Sequence, residues 1–170
     1  RFVSRSEVDE AAREALAARV LEIALDTHLC VCTAESCTGG LLGAALTAIA
    51  GSSRSFVGGL VAYSNEIKRD LLGVRAETLE RDGAVSEACV IEMATAAAAL
   101  FGAEVAVSVS GIAGPGGGTP EKPVGTVWIG ISSRGEVSAY HHLFTGDRRS
   151  VRIASVDAAL RHVIEKLELG

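Results

Sequence analysis

The sequence predicts a three-layer α/β domain, a mixed β-sheet covered by helices, on three observations. Short β-inclined apolar runs alternate with helix-spaced segments, and the last two runs lie close enough to form a hairpin. Aromatic residues supply only 4% of the 170 residues although 48% are hydrophobic. A core so rich in Ala, Val, Leu and Ile and so poor in rings favours helices packed tightly on a sheet. One domain spanning 1–170 suffices at this length, since no stretch has linker composition and no internal repeat is evident.

The elements follow in order. From Glu7 to Thr27, Val8, Ala11, Ala12, Ala15, Leu16, Val20, Ile23 and Ala24 recur at helical spacing, which predicts an amphipathic helix. Cys30 to Ala34 reads as a strand that runs through a tight turn, 35–40, into a helix from Leu41 to Ile49. Phe56 to Tyr63 is a second strand, and Asn65 is expected to cap a short helix through Leu72, stopped by Gly73. Ser86 and Glu87 open an Ala-rich helix ending near Gly102. Glu104 to Ser110 alternates with Val105, Val107 and Val109 on one face, and Gly111 ends that strand. The segment 111–123 holds five of the 19 glycines and all three prolines, so it is a long loop. Val124 to Ile131 and Val137 to Phe144 form the hairpin strands around Ser-Arg-Gly, and Asp147 caps a last helix reaching about Leu167.

A formal charge of −5 leaves no basic footprint for a duplex, and the arginines between Arg134 and Arg161 are mixed with acids. No nucleic-acid partner is expected. The apolar runs are far shorter than a bilayer span and no leader pattern opens the chain, so neither a membrane partner nor a location outside the cytoplasm is expected. The start at Arg1 rather than Met reads as a trimmed or excised chain. Cysteines 30, 32, 37 and 89 offer no zinc spacing and are expected as free thiols, and the four histidines contain no His-x-x-x-His pair. No metal and no cofactor are expected. Ala-rich helices make packing into a homo-oligomer the expectation for quaternary structure.

The densest chemical signal is Glu35-Ser36-Cys37-Thr38-Gly39-Gly40, because a strand-to-helix junction exposes side chains and aims unpaired N–H groups at one spot. Two readings fit it: an ordinary capped turn, or a nucleophile beside an oxyanion or phosphate cradle. A serine nucleophile needs a base, and Lys68 in Tyr63-Ser-Asn-Glu-Ile-Lys68 could serve only if burial removes its charge; solvated, it is an ordinary surface lysine. The glycine-rich loop lacks Gly-Lys-Ser/Thr and Gly-x-Gly-x-x-Gly before a helix, which argues against ATP and dinucleotide sites. It is either a plain surface loop or one that cradles a small anion near Ser110 and Gly111. Arg148, at a helix start, is either a surface arginine or a phosphate ligand.

Taken together, 33–40, Gly51-Ser-Ser53, 63–68, Gly83-Ala-Val-Ser86, 108–115, Lys122-Pro-Val-Gly-Thr-Val127 and Gly146-Asp-Arg148 resemble the CinA C-terminal domain family from about residue 8 onward. The resemblance implies hydrolysis of nicotinamide mononucleotide to nicotinate mononucleotide and ammonia in pyridine-nucleotide recycling, by a Ser/Lys mechanism without metal. It matches Ser36 to the nucleophile, Lys68 to the base and Tyr63 to a supporting tyrosine. Glu35, Cys37, Thr38, Gly39, Gly40, Asn65, Ser110, Gly111 and Arg148 are the expected contacts of the nucleotide substrate, with the N–H groups of Cys37 to Gly40 as oxyanion donors. The competing class is a non-catalytic nucleotide-binding or regulatory module linked to competence and DNA damage, since a fold does not fix an activity. A third, a cysteine hydrolase built on Cys37, lacks a histidine at a suggestive turn.

Overall fold

The computed structural model describes residues 5–169, the first four of them, 5–8, by their backbone alone. The expectations for Arg1, for the Val8 side chain and for the ends of a 1–170 domain therefore lie partly outside the described residues. A five-stranded mixed sheet in the order β2-β1-β3-β4-β5 forms the middle layer. Its strands are β1 (Val31–Glu35), β2 (Phe56–Val61), β3 (Val105–Gly111), β4 (Thr126–Ser133) and β5 (Glu136–Leu143). β1 pairs in parallel with β2 and β3, while β3, β4 and β5 form an antiparallel run.

Alternation along β3 divides the two faces. Val105, Val107 and Val109 join Val127, Ile129 and Ile131 under α1 (Arg5–Asp26), α2 (Leu41–Thr47) and α6 (Arg148–Glu168). Burying each such side chain contributes roughly 1.5–3 kcal/mol, so this bulky face is the main source of stability. Ala106 and Ser108 instead meet α5 (Glu87–Phe101), whose inner stripe is Cys89, Met93 and Ala97. Small residues let α5 come close enough for the Ser108 hydroxyl to donate to Val90 O at 2.6 Å. The three-layer reading thus holds, one face packed by large aliphatics and the other by small residues.

Several local expectations shift. α1 buries its stripe only from Leu16, which packs against the core, through Val20, Ile23 and Ala24; Ala11, Ala12 and Ala15 are exposed. Ser64, not Asn65, caps α3 (Asn65–Asp70), its side chain accepting from Ile67 N, and Asn65 is the first helical residue. Sequence periodicity missed α4 (Ala76–Arg81), a six-residue helix tied to α5 by Glu92, which accepts from Arg75 and Thr78. Gly111 is the last residue of β3, ending that strand as expected, and β4 starts at Thr126, two residues later than expected. Ser86 and Asp147 cap α5 and α6 as expected, accepting from Cys89 N and Ser150 N. The β4–β5 hairpin turns through Arg134 and Gly135, both at positive φ (51° and 87°), the conformation that matches strand twist in a two-residue turn.

The connection after β1 runs through α2 on one face, and the connection into β3 runs through α5 on the other. The chain therefore parts beyond the C-terminal ends of β1 and β3, where open α/β sheets leave a crevice for ligands. No described helix is long and apolar enough to cross a membrane.

Candidate active site

That crevice holds the serine-containing turn. Ser36 follows β1, its N–H still donating to Val109 O at 2.9 Å, so the nucleophile candidate is fixed to the end of the sheet. Gly39 and Gly40, at φ 58° and 96°, reverse the chain into α2 through a conformation that costs other residues dearly. Glu35 makes that reversal possible. Its carboxylate, 2% exposed, accepts from the N–H groups of Gly40 (3.1 Å), Leu42 (3.0 Å) and Gly43 (2.8 Å), closing the unsatisfied N-terminus of α2 with a charge that its dipole favours.

Lys68 enters from α3, with its side chain only 1% exposed. Its Nζ lies 3.0 Å from Ser36 Oγ, 2.9 Å from Ala62 O and 3.1 Å from Tyr63 O. No carboxylate pairs with it among the described residues. Burial disfavours the ammonium and lowers the lysine below its usual value, with the neighbouring Cys89 and Cys37 sulfurs opposing weakly. An ammonium would meet these three oxygens with three N–H groups, and a neutral amine would meet them with two N–H groups on the carbonyls and its lone pair toward the Ser36 hydroxyl.

Cys37 beside the serine has a different character. Burial pushes its thiol up to about 11, so about one in ten thousand would be thiolate at pH 7. Its Sγ sits against Gly111, where an added Cβ would lie 3.1 Å from the sulfur and 2.6 Å from Val127 Cγ2; only glycine permits that approach. All four cysteines are free thiols. Among the described residues no group of three or more His, Cys, Asp or Glu could hold a metal.

The cavity at the pair measures about 220 Å³. Of the expected residues, Ser36, Cys37, Tyr63, Asn65, Lys68, Ser110, Gly111 and Arg148 line it. Tyr63 contributes a main-chain carbonyl to Lys68, while the residue as a whole is 59% exposed and its hydroxyl accepts from Arg148 Nη2 at 3.0 Å. Arg148 also donates to Gly114 O at 2.8 Å, pinning the glycine-rich loop, which Lys122 ties to Asp82 O on the opposite side. The Ser110 hydroxyl donates to Ala84 O at 2.7 Å.

Four expected contacts do not reach the cavity, three because local hydrogen bonds use them and Thr38 because it is buried away from the lining. Glu35 is consumed by α2, the Gly39 N–H donates to Ser36 O (3.0 Å), the Gly40 N–H goes to Glu35, and Thr38 is fully buried. Glycines 39 and 40 are thereby withdrawn as oxyanion donors. Among the described residues, only the N–H groups of Cys37 and Thr38 in this turn donate to no oxygen. Sequence reasoning missed Ala84, Val85 and Ala113, which complete the wall through chain reversals no pattern marks.

The buried serine–lysine pair thus sits at the switch point of a doubly covered mixed sheet, in an α/β domain. The chain belongs to the CinA family: the family model for the CinA C-terminal domain matches residues 13–167. It is 54% identical over 140 residues to a protein of Enterobacter agglomerans named nicotinamide-nucleotide amidohydrolase PncC, covering 79% of this chain and 85% of the relative. It is 47% identical over 149 residues to a CinA-like protein of Thermotoga maritima, covering 88% of this chain but 36% of that longer protein. The chain thus spans about a third of the CinA-like relatives it matches. The crystal structure of a competence-damaged protein (CinA) superfamily protein from Klebsiella pneumoniae superposes with a TM-score of 0.90 at 43% identity, covering 93% of this chain and 99% of that one. The competence/damage inducible protein CihA from Agrobacterium tumefaciens gives 0.89 at 45% identity, covering 92% and 96%.

Proposed function

We propose that this domain is an amidohydrolase that converts nicotinamide mononucleotide to nicotinate mononucleotide and ammonia by a Ser36/Lys68 mechanism. The observation that carries the reading is the buried Lys68 Nζ, 3.0 Å from Ser36 Oγ and without a carboxylate partner. The relatives named as nicotinamide-nucleotide amidohydrolases, at 53–54% identity, support the substrate.

Neutral Lys68 takes the proton from Ser36 as Oγ bonds to the amide carbon, and the carbonyl pair moves onto oxygen. The Cys37 N–H, which belongs to the cavity wall and is accepted by no protein oxygen, is the donor of this turn available to that oxyanion. Lys68 then returns its proton to the departing nitrogen, ammonia leaves, and an ester to Ser36 remains. Water, deprotonated by the same amine, opens the ester to the carboxylate and restores Ser36. Arg148, Ser110 and Asn65 line the route along which the ribose phosphate would extend.

Ammonia release from nicotinamide mononucleotide by the purified chain, with Ser36→Ala as blank, tests the proposal. Release by wild type and none by the variant supports it. No release by wild type overturns it in favour of a non-catalytic nucleotide-binding or regulatory module, and calorimetric titration with the same nucleotide then reads that role.

A further inference from the structure

Arg152 appears in none of the motifs that drew attention to the site, yet it holds the serine-containing turn from outside. It lies on α6, four residues after Arg148 and so on the same helical face. Arg148 reaches into the cavity, while Arg152 reaches behind it. Its Nε donates to Cys37 O at 3.0 Å and its Nη2 to Thr38 O at 2.9 Å, so one planar guanidinium spans two consecutive carbonyls.

The consequence follows from peptide geometry. In a trans peptide the C=O and the following N–H point in opposite directions, and the cis bond present here lies elsewhere, at Gly114–Pro115. Holding Cys37 O therefore directs the Thr38 N–H away from the arginine, and holding Thr38 O directs the Gly39 N–H toward Ser36 O, which it meets at 3.0 Å. That last bond holds the Ser36 carbonyl, which fixes the opposite direction of the Cys37 N–H. Three successive peptide planes are thus set, and the two N–H groups left over are those that no protein oxygen accepts. Two further observations point the same way. Gly39 leaves the room the guanidinium uses, since a Cβ there would lie 3.2 Å from Arg152 Nη2. The Arg152 charge is also felt inside the cavity, where it lowers the Cys37 thiol against the dominant effect of burial.

We propose that Arg152 is a positioning residue that presets the serine-containing turn, and with it the Cys37 amide at the cavity wall, for the negative charge developing on the substrate carbonyl oxygen. This rests on the amidase reading. Preorganised donors act on the transition state more than on bound substrate, so the residue should matter for kcat and little for KM. Lys68 does not touch it, so the pH at which the base titrates should stay where it is.

The test uses the purified chain with Arg152→Met, which keeps an apolar stem but removes charge and donors, and Arg152→Lys, which keeps the charge and a single nitrogen. Circular dichroism and thermal melts check folding. With nicotinamide mononucleotide, Arg152→Met is expected to lower kcat about 10²–10³-fold with KM within about twofold and the pH midpoint of kcat/KM unmoved. Arg152→Lys should recover part of the loss. A fluorophosphonate probe, whose capture by Ser36 passes through a similarly charged oxygen, should label wild type faster than Arg152→Met. Turnover by Arg152→Met within about threefold of wild type overturns the proposal, as does a loss carried mainly by KM or by a shifted pH midpoint. Should wild type release no ammonia, the amidase reading fails alone. The probe still decides the role of Arg152, equal labelling rates refuting it.

Discussion

The last residue of β1, Glu35, and Lys68 in the segment after β2 are both buried beside the same serine, and their surroundings are opposite. Glu35 receives three N–H groups and the positive end of α2, so its charge is compensated by groups that have no other use. Lys68 receives two carbonyls and a hydroxyl but no anion, and burial lowers its basicity. The difference teaches how to tell a scaffold charge from a reactive one. A carboxylate that accepts from three main-chain N–H groups is tied into the scaffold, whereas an amine whose partners are all neutral, one of them an exchangeable hydroxyl, is poised to move a proton.

The largest expected effect falls on the poised side. Arginine cannot lose its proton at accessible pH, so Lys68→Arg should fold, bind the nucleotide and lose activity by about a thousandfold or more. Single-turnover assays with melts at matched pH check this, and near wild-type turnover would mean that Lys68 is no base. On the scaffold side, Glu35→Ala should act through stability, leaving three N–H groups without their acceptor at a cost on the order of 3 kcal/mol. Urea denaturation reads that value. A variant that stays as stable as wild type but loses substrate affinity would return Glu35 to the role of a ligand contact.

Much of this contrast was legible in the chain, and its gaps have physical causes. Ser36 and Lys68 stand out because a strand-to-helix junction and a capped short helix are local patterns. The function of Glu35 is not local: it depends on β1 ending where its carboxylate can reach N–H groups five to eight residues ahead. Arg152 stayed hidden because its partners are main-chain carbonyls more than 100 residues away, which leave no mark on composition. α4 escaped because a six-residue helix is held by Glu92 of α5 instead of by its own apolar stripe.

The titration of Lys68 sharpens the comparison at intermediate magnitude. Its folded value is lowered, so between that value and the ordinary lysine value near 10.4 the unfolded chain binds more protons than the folded one. Stability from this group therefore rises with pH across the window, by at most about 1.4 kcal/mol per pH unit. Thermal melts should show wild type gaining on Lys68→Met as pH increases from 7 toward 10. A constant difference would mean that burial does not disfavour the ammonium. In the same range, kcat/KM should rise through one basic limb and flatten above it.

The smallest effect is expected at Cys37, and it separates the two neighbours in the turn. A thiol raised to about 11 is almost wholly protonated at pH 7, and the unprotonated Sγ needed for attack is scarce. The side chain packs against Gly111 and Val127, so its sulfur serves as core volume. What the site needs from residue 37 is main chain: a carbonyl for Arg152 and an N–H with no protein oxygen to accept it. Alanine preserves both and removes one buried atom, so Cys37→Ala should keep turnover within about threefold of wild type and destabilise by about 1 kcal/mol. Iodoacetamide at pH 7 should leave activity nearly intact for the same reason. The decisive pair is Cys37→Ala beside Ser36→Ala in one ammonia-release assay. If the cysteine variant loses activity and the serine variant keeps it, the nucleophile is the thiol, and the poised lysine has been read beside the wrong partner.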